Sequence, residues 1–518
     1  MSVREQLNLI AEKRFLILDG AMGSVIQSLN LGEKDFRGEK FADHPAPLGG
    51  CNDLLCLTKP EVIASIHDSY LQAGADIIET CSFNSTSISL SGYGLDNIAY
   101  DISAAAAKIA CKSADKFSAN GSPRFVAGSI GPTAKGASIY SDINNPAKRD
   151  ICWDELEAAY YDNARGLLDG GADILLVETI FDTVNAKAAL FAISRLLKER
   201  DIDTPIMISA AVSGESGRLL SGQTIEAFCN SVLHIKPWSI GLNCSLNSQK
   251  LMPFVRKLSE IAPCLVSAYP NAGLPNRFGC YEETPEIFSA NIESYLKEGL
   301  VNIIGSCCGS SPSHTAEIAK KAALYKPRGI PADISAGTSA GTSAGISAGS
   351  RRTLFSGLET VNIADDAVQI KKMADDNANK EFLRLLGGGN YEDAVEEARN
   401  MVDDGALFIN VETNDEKKLS GFLDFALMNP YAAKVPFFIN SADINVIVTG
   451  LKRLQGRCLA GPLTLKDTEA EFIRKAELIR LYGAAAVVTA RGQDEAQKIS
   501  DLLQKNGYPV DNIVIVQV

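Results

Sequence analysis

Short, continuous apolar runs alternate with longer amphipathic stretches through the first three-fifths of the chain. The runs fall at 15–19 (FLILD), 76–80 (DIIET), 125–129 (FVAGS), 174–178 (ILLVE), 206–210 (IMISA), 240–243 (IGLN), 265–268 (LVSA) and 302–305 (NIIG). Between them lie stretches such as PEVIASIHDSYLQAGA and DELEAAYYDNARGLLDGGA, apolar at helical spacing and closed by a glycine, as a helix C-terminus is. Unbroken apolar strands alternating with helices predict a parallel sheet covered on both faces. Eight such units predict an α/β fold, a (β/α)8 barrel with some enlarged loops. Functional side chains of such barrels gather at the C-terminal ends of the strands. Here those ends carry Asp19, Glu79 with Thr80, Gly128 with Ser129, Glu178, Cys244, Asn271 and the pair Cys307-Cys308. Any one of the acids also reads as a cap for the helix that follows. Polar groups at so many strand ends read better as one rim.

The pattern breaks at 326–352, where PRGIPADISAGTSAGTSAGISAGSRR has too little apolar surface to offset its ordering entropy. This segment reads as a flexible linker between a domain at 1–325 and a second at 353–518. The second domain offers six candidate strands, at 367–372, 407–411, 436–440, 458–461, 485–490 and 513–518, with helical stretches between most of them. It reads as a second barrel that stops two strands short. Its unpaired edges require cover from the first domain, a second copy or another protein.

Composition narrows the class. The 518 residues are 46% hydrophobic and 22% charged, ordinary values for a soluble globular protein of two or three domains. A net charge of −13 argues against a nucleic-acid or anionic-membrane partner. The N-terminus has no signal-peptide core, and no apolar run reaches membrane-spanning length. Twelve cysteines without the spacing of a small disulfide-bonded domain read as reduced thiols in the cytoplasm.

Three of those cysteines suggest chemistry. Cys244 in SIGLNCS and Cys307-Cys308 in IIGSCCGSSP each follow an apolar run and a glycine, where a strand emerges into a loop. Adjacent cysteines are ordinarily two small apolar residues. A third at an equivalent strand end, with Gly305 and Gly309 permitting a sharp bend around the pair, instead predicts a Zn²⁺ site. Three protein thiolates leave a fourth position open, as in catalytic rather than structural zinc sites. A thiol entering that position becomes a thiolate and stays nucleophilic, so no protein general base is required.

Residues 1–325 resemble the homocysteine-binding module of cobalamin-dependent methionine synthase. The likeness is carried by LDGAMGS, DLLCLTKPEVI, ADIIETCSFNST, GSIGPT, VETIFDTVNAKAA, GRLLSGQTIEAF, GLNCS, PNAGLPN and SCCGSSPSH, in that order. It implies zinc thiolates at Cys244, Cys307 and Cys308, with the Asn271 side-chain oxygen holding the fourth position until substrate arrives. It also implies that Asp19 and Glu178 hold the amino group of homocysteine, and that backbone donors near Gly128–Thr133 meet its carboxylate. Ser24, Ser306 and Cys81-Ser82 depart from the family's pattern. Ser306 replaces a glycine suited to a tight backbone, and Cys81 reads as a small packing residue rather than a fourth ligand. His314 reads as a surface or capping residue.

The second part resembles the pterin-binding module of the same enzyme in TGLKRLQGRCLAGPLTLKDTEAEF and LYGAAAVV, but departs from it where folate binds. The departures are KKMAD at 371–375, Asn410-Val411-Glu412, Ile439-Asn440-Ser441-Ala442, Ala460-Gly461-Pro462, Arg491-Gly492-Gln493 and Val516-Gln517-Val518. A pterin needs a buried carboxylate or amide to pair with its ring edge, so a degenerate, truncated module without folate is expected. No histidine stands in a cobalamin-binding context. The combined expectation is a zinc-dependent homocysteine S-methyltransferase forming methionine. Its first-choice donor is a methylcobalamin-type corrinoid carried by a separate protein or module. The alternatives are a sulfonium donor such as S-methylmethionine, or a non-enzymatic docking subunit of a methyl-transfer complex.

Overall fold

The computed structural model describes residues 1–518 except 119, 120, 140, 141, 143, 144, 146, 147, 278, 280, 330–352, 364–376, 467, 510, 511 and 518. All eight apolar runs of the first part form strands: β1 Leu16–Ile17, β2 Ile77–Glu79, β3 Phe125–Ile130, β4 Ile174–Ile180, β5 Ile206–Ala210, β6 Ser239–Asn247, β7 Leu265–Asn271 and β8 Ile303–Ile304. They pair in parallel in the order β1-β8-β7-β6-β5-β4-β3-β2. A single bridge, Leu18 to Ile77, joins β1 to β2 and brings the ring round. The first part is therefore an α/β barrel of the expected kind.

Alternate strand residues fill its interior, among them Leu16, Leu18, Phe125, Leu176, Met207 and Ile303. The helix Val3–Ala11 adds Leu7 and Ala11 to the same cluster. Trp238, which precedes β6, donates its indole N–H to Asn8 Oδ1 at 2.8 Å. This helix therefore stops the N-terminal end of the barrel. Polar groups are left to gather at the opposite end.

After the barrel comes an antiparallel hairpin, β9 Thr353–Ser356 and β10 Thr360–Ile363, which the sequence reading passed over. A five-stranded parallel sheet follows, β11 Ile409–Glu412, β12 Phe437–Asn440, β13 Leu459–Leu463, β14 Ala485–Ala490 and β15 Ile513–Gln517, paired in chain order. These match five of the six expected strands to within two residues. The sixth, at 367–372, lies outside the described residues, as does the expected linker from 330 onward. Phe355 of the hairpin packs with Phe408, Phe438 and Val514 on one face of the sheet.

Hairpin and sheet are docked on the barrel. The Thr224 amide donates to Leu358 O at 2.9 Å, Gln223 Nε2 donates to Gly357 O at 2.8 Å, and Arg218 pairs with Glu359 at 2.6 Å. Lys187, on the helix Thr183–Arg200, is fully buried and donates from Nζ to Leu454 O at 2.9 Å and Gly456 O at 3.0 Å. Desolvation lowers its pKa to about 8. A buried lysine survives only when hydrogen-bonded, so this contact fixes how the barrel helix meets the later sheet.

Candidate metal centre and barrel mouth

The sulfur cluster is assembled by two strand ends that break regular geometry. Pairing between β6 and β7 is interrupted between Asn243 and Asn247. Within that gap Cys244 and Ser245 adopt φ values of 55° and 57°. Non-glycine residues rarely hold this left-handed backbone, and such strain collects at functional sites. On the other side, Gly305 passes so near β1 that a Cβ there would lie 2.8 Å from Leu18 Cβ, and Gly309 turns the chain at a φ of +81°. The result is a Cys244–Cys308 Sγ distance of 3.8 Å and a Cys307–Cys308 distance of 3.9 Å. All three sulfurs lie within 4.8 Å of one another, and all three residues are partly exposed. Hydrogen bonds from Cys244 and Cys307 lower the Cys308 pKa to about 3, whereas donating to Cys244 and Cys308 holds the Cys307 thiol well above its ordinary value. Three such sulfurs, soft and anionic on ligation, are a donor set suited to Zn²⁺.

Asn271 closes β7 beside this cluster. The Cys307 amide donates to Pro270 O at 2.8 Å and the Ala272 amide to Cys308 O at 3.0 Å, so the two segments run against each other. Asn271 is buried, and its Oδ1 has no hydrogen-bond partner. Leaving a buried amide oxygen unpaired is costly, so its position beside three sulfurs fits a group awaiting a cation.

Carboxylates form the other half of the mouth. Asp19 and Glu178 are buried, and so is Glu79 Oε1. Asp19 Oδ2 accepts from the Glu79 amide at 3.0 Å, and Glu178 Oε1 accepts from the Ser129 hydroxyl. Asp19 Oδ1 and Glu79 Oε1 have no partner. Burial, with the Glu178 charge added, raises the Asp19 pKa well above the usual carboxylate range. Burial and the charges of Glu178 and Asp19 do the same to Glu79. Burial pushes Glu178 up to about 7 against the opposing Ser129 hydrogen bond. Among the described residues no lysine, arginine or histidine pairs with any of these three acids. Three converging carboxylates without a counter-ion favour an incoming cation such as an ammonium group.

Two residues have positions in the site that the sequence pattern does not reveal. Asn243, fully buried, accepts at Oδ1 from the Thr179 amide (3.1 Å) and the Ser209 hydroxyl (2.8 Å), and donates from Nδ2 to the Thr179 hydroxyl (2.8 Å). It ties β4, β5 and β6 together one residue before Cys244 and holds Thr179 at a φ of 54° beside Glu178. Glu79 was noticed only as a strand end. Its neighbours Asp19 and Glu178 are 60 and 99 positions away, so the ring closure alone reveals the grouping.

The remaining expected residues take mixed places. Gly128 faces the helix layer, where a Cβ would meet Leu167 at 3.0 Å. The buried Thr133 hydroxyl donates to Lys135 O at 2.6 Å and accepts from Asn185 Nδ2 at 3.0 Å, shaping the loop after β3. Ser306 has no left-handed backbone, so a serine fits where a glycine was expected. The Cys81 thiol points to Asn52 O at 3.7 Å and Asp53 at 3.9 Å, away from the sulfur cluster. His314 caps the helix Pro312–Ala322, as expected, but is buried rather than superficial because its Nε2 meets Glu283 O at 3.0 Å. On the later sheet Asn410 is buried with both amide atoms unpartnered, and Glu412 is exposed.

An α/β barrel with its polar groups and three clustered thiols on one rim has the layout of a barrel enzyme. The family model for homocysteine S-methyltransferase matches residues 16–322, and the chain belongs to that family. It is a methyltransferase. Among solved structures it is similar to the homocysteine methyltransferase MmuM from Escherichia coli. The metallated form is 21% identical over 60% of this chain and 98% of that one, with a TM-score of 0.45. The oxidized form is 21% identical over 59% and 96%, again with a TM-score of 0.45. Among the described residues no helix is long and apolar enough to cross a membrane.

Proposed function

We propose that this chain transfers a methyl group to the sulfur of homocysteine, forming methionine, at a zinc ion held by Cys244, Cys307 and Cys308. The carrying observation is the sulfur trio beside the unpartnered Asn271 oxygen, a short way from buried carboxylates that lack a cation. Zinc bound there keeps a thiol deprotonated at neutral pH. The unpartnered Asn271 oxygen would complete the donor set where no substrate is bound. Asp19 and Glu178 take the substrate ammonium, with Glu79 as a third carboxylate behind them. The Ser129 and Gly131 amides already bind Thr80 Oγ1 and Phe83 O, and Pro132 has no N–H, so the stretch from Gly128 to Thr133 keeps few backbone donors for the substrate carboxylate. No side chain of the mouth is needed as a general base, because the thiol proton leaves on binding.

The methyl donor in this reading is a methylcorrinoid carried by another protein or module. The segment after 353 is read as the remnant of a pterin barrel that no longer uses folate. The reading rests on the changed residues around Asn410, Asn440 and Gly461. Zinc-loaded protein supplied with homocysteine and methylcobalamin is expected to form methionine, and methyltetrahydrofolate is expected to support no turnover. Turnover with S-methylmethionine alone would assign a sulfonium donor, and turnover with neither would leave a docking subunit.

Asn271→Ala separates the resting ligand from the substrate contacts. It is expected to weaken zinc binding by no more than the 10- to 100-fold typical of a supporting partner, about two decades at most. The KM for homocysteine should not rise, since the lost group leaves when substrate binds. Chelator competition and steady-state kinetics on the same preparation check both halves.

A further inference from the structure

Homocysteine and cysteine differ by a single methylene between sulfur and amino group, so a site that grips both ends must hold them at a fixed separation. In this barrel one end is the sulfur trio and the other the buried carboxylates. Among the described residues, the strand pairing of the barrel shifts register twice, between Val177 and Ile180 and between Asn243 and Asn247. The first break carries Glu178 and the second carries Cys244. Each leaves non-glycine residues in left-handed backbone, Thr179 at a φ of 54° and Cys244 and Ser245 at 55° and 57°. Such breaks re-aim side chains and persist only where their surroundings hold them. One side chain joins the two. Asn243, fully buried, accepts at Oδ1 from the Thr179 amide at 3.1 Å and donates from Nδ2 to the Thr179 hydroxyl at 2.8 Å, while Oδ1 also accepts from the Ser209 hydroxyl of β5 at 2.8 Å. The pattern needs an acceptor with two lone pairs and a donor on one short side chain, which is what asparagine offers. A peptide bond on each side completes the link, from Asn243 to Cys244 and from Thr179 to Glu178.

We infer that Asn243 is a positioning residue that sets the span between the metal and ammonium subsites and so selects homocysteine over shorter aminothiols. The inference rests on the substrate reading above. Asn243 acts through Cys244 on one side and through Thr179 and Glu178 on the other, and its own polar atoms are taken up by Thr179 and Ser209. A substrate whose sulfur and ammonium groups match the span makes both contacts at once. A thiol one methylene shorter must give up part of one of them. With the link broken, the two ends settle independently. Homocysteine then loses most, and a thiol with no ammonium group loses nothing.

Asn243→Ala removes all three hydrogen bonds. Thr179→Val keeps the shape of the side chain and removes only the hydroxyl contact, so it decides the matter where the alanine variant does not fold. Wild-type and variant proteins, each analysed for zinc, are titrated by calorimetry with homocysteine, cysteine and 1-propanethiol. These probe the full span, a shortened span and the metal alone. The wild type is expected to prefer homocysteine to cysteine by about 10- to 200-fold, the range one methylene is worth. In the variants zinc content and 1-propanethiol affinity should match the wild type. Homocysteine binding should weaken about 10-fold in Asn243→Ala and about 3-fold in Thr179→Val, and the preference over cysteine should narrow by similar factors. A merely structural role would weaken all three thiols alike. Equal losses for the three thiols, or an unchanged preference with the link broken, overturn the inference alone. Absence of zinc from the wild type overturns the site reading, and this inference with it.

Discussion

Cys307→Ser protein is expected to purify with less than about a tenth of a zinc per chain and to lose methionine formation by more than about 100-fold, beyond the range seen for losing a mere supporting partner. The expectation follows from the geometry of the trio. The Cys307 sulfur lies 3.9 Å from that of Cys308, and all three sulfurs lie within 4.8 Å of one another. Serine is nearly the same size but offers a hard, protonated oxygen in place of a soft thiolate, and two remaining sulfurs make a poor zinc site. The barrel itself should survive. Its interior is packed by strand residues and closed at the far end by the Val3–Ala11 helix, and Cys307 only touches that cluster from outside. Far-ultraviolet circular dichroism should therefore match the wild type while metal analysis does not. Full zinc occupancy in this variant would show that the sulfurs are not its ligands.

Glu178→Gln carries the second large effect. It should raise the KM for homocysteine by about 10- to 150-fold, the cost of losing one charge-assisted contact of about 1.5–3 kcal/mol. Zinc content and the kcat at saturation should change little. The pH dependence provides a sharper check. Burial holds Glu178 at about 7, so below that pH the neutral acid cannot pair with an ammonium group. Substrate binding favours the ionised form and so expels the proton, which makes kcat/KM rise with pH through this range and fall away on the acid side. In the Gln variant the rise centred near 7 should vanish, leaving only the rise at higher pH from ionisation of the substrate thiol. An unchanged profile would remove Glu178 from the substrate site. Glu79, whose own pKa is raised by burial and then by Glu178, should become easier to ionise in the variant.

The strands were legible because a parallel sheet buried on both faces must be written as unbroken apolar runs. Their ends were less so. β6 runs on to Asn247 because Cys244 and Ser245 take left-handed backbone, which no local propensity announces. The β9–β10 hairpin went unread because its apolar strands follow directly on the Ser/Ala/Gly-rich tract, and its burial depends on contacts with Phe408 and Phe438 far along the chain. Strand-end position put Asp19, Glu178 and Asn271 on the rim and, with cysteine identity, pointed to the metal trio, whereas the roles of Asn271, Asp19 and Glu178 came through family resemblance. Lys187 and His314 show the limit most clearly. Each looks locally like a surface residue, and each is buried by a carbonyl supplied from a distant segment, Leu454 and Gly456 for the one and Glu283 for the other. The grouping of Glu79 with Asp19 likewise exists only because β1 and β2 meet at a single bridge.

Zinc-edge X-ray absorption on quantified, reduced protein tests the central claim most directly. The account predicts one zinc per chain with three sulfurs at about 2.3 Å and one lighter ligand, converting to four sulfurs when homocysteine is added. A sub-stoichiometric metal, or a coordination sphere with fewer than three sulfurs, would contradict it.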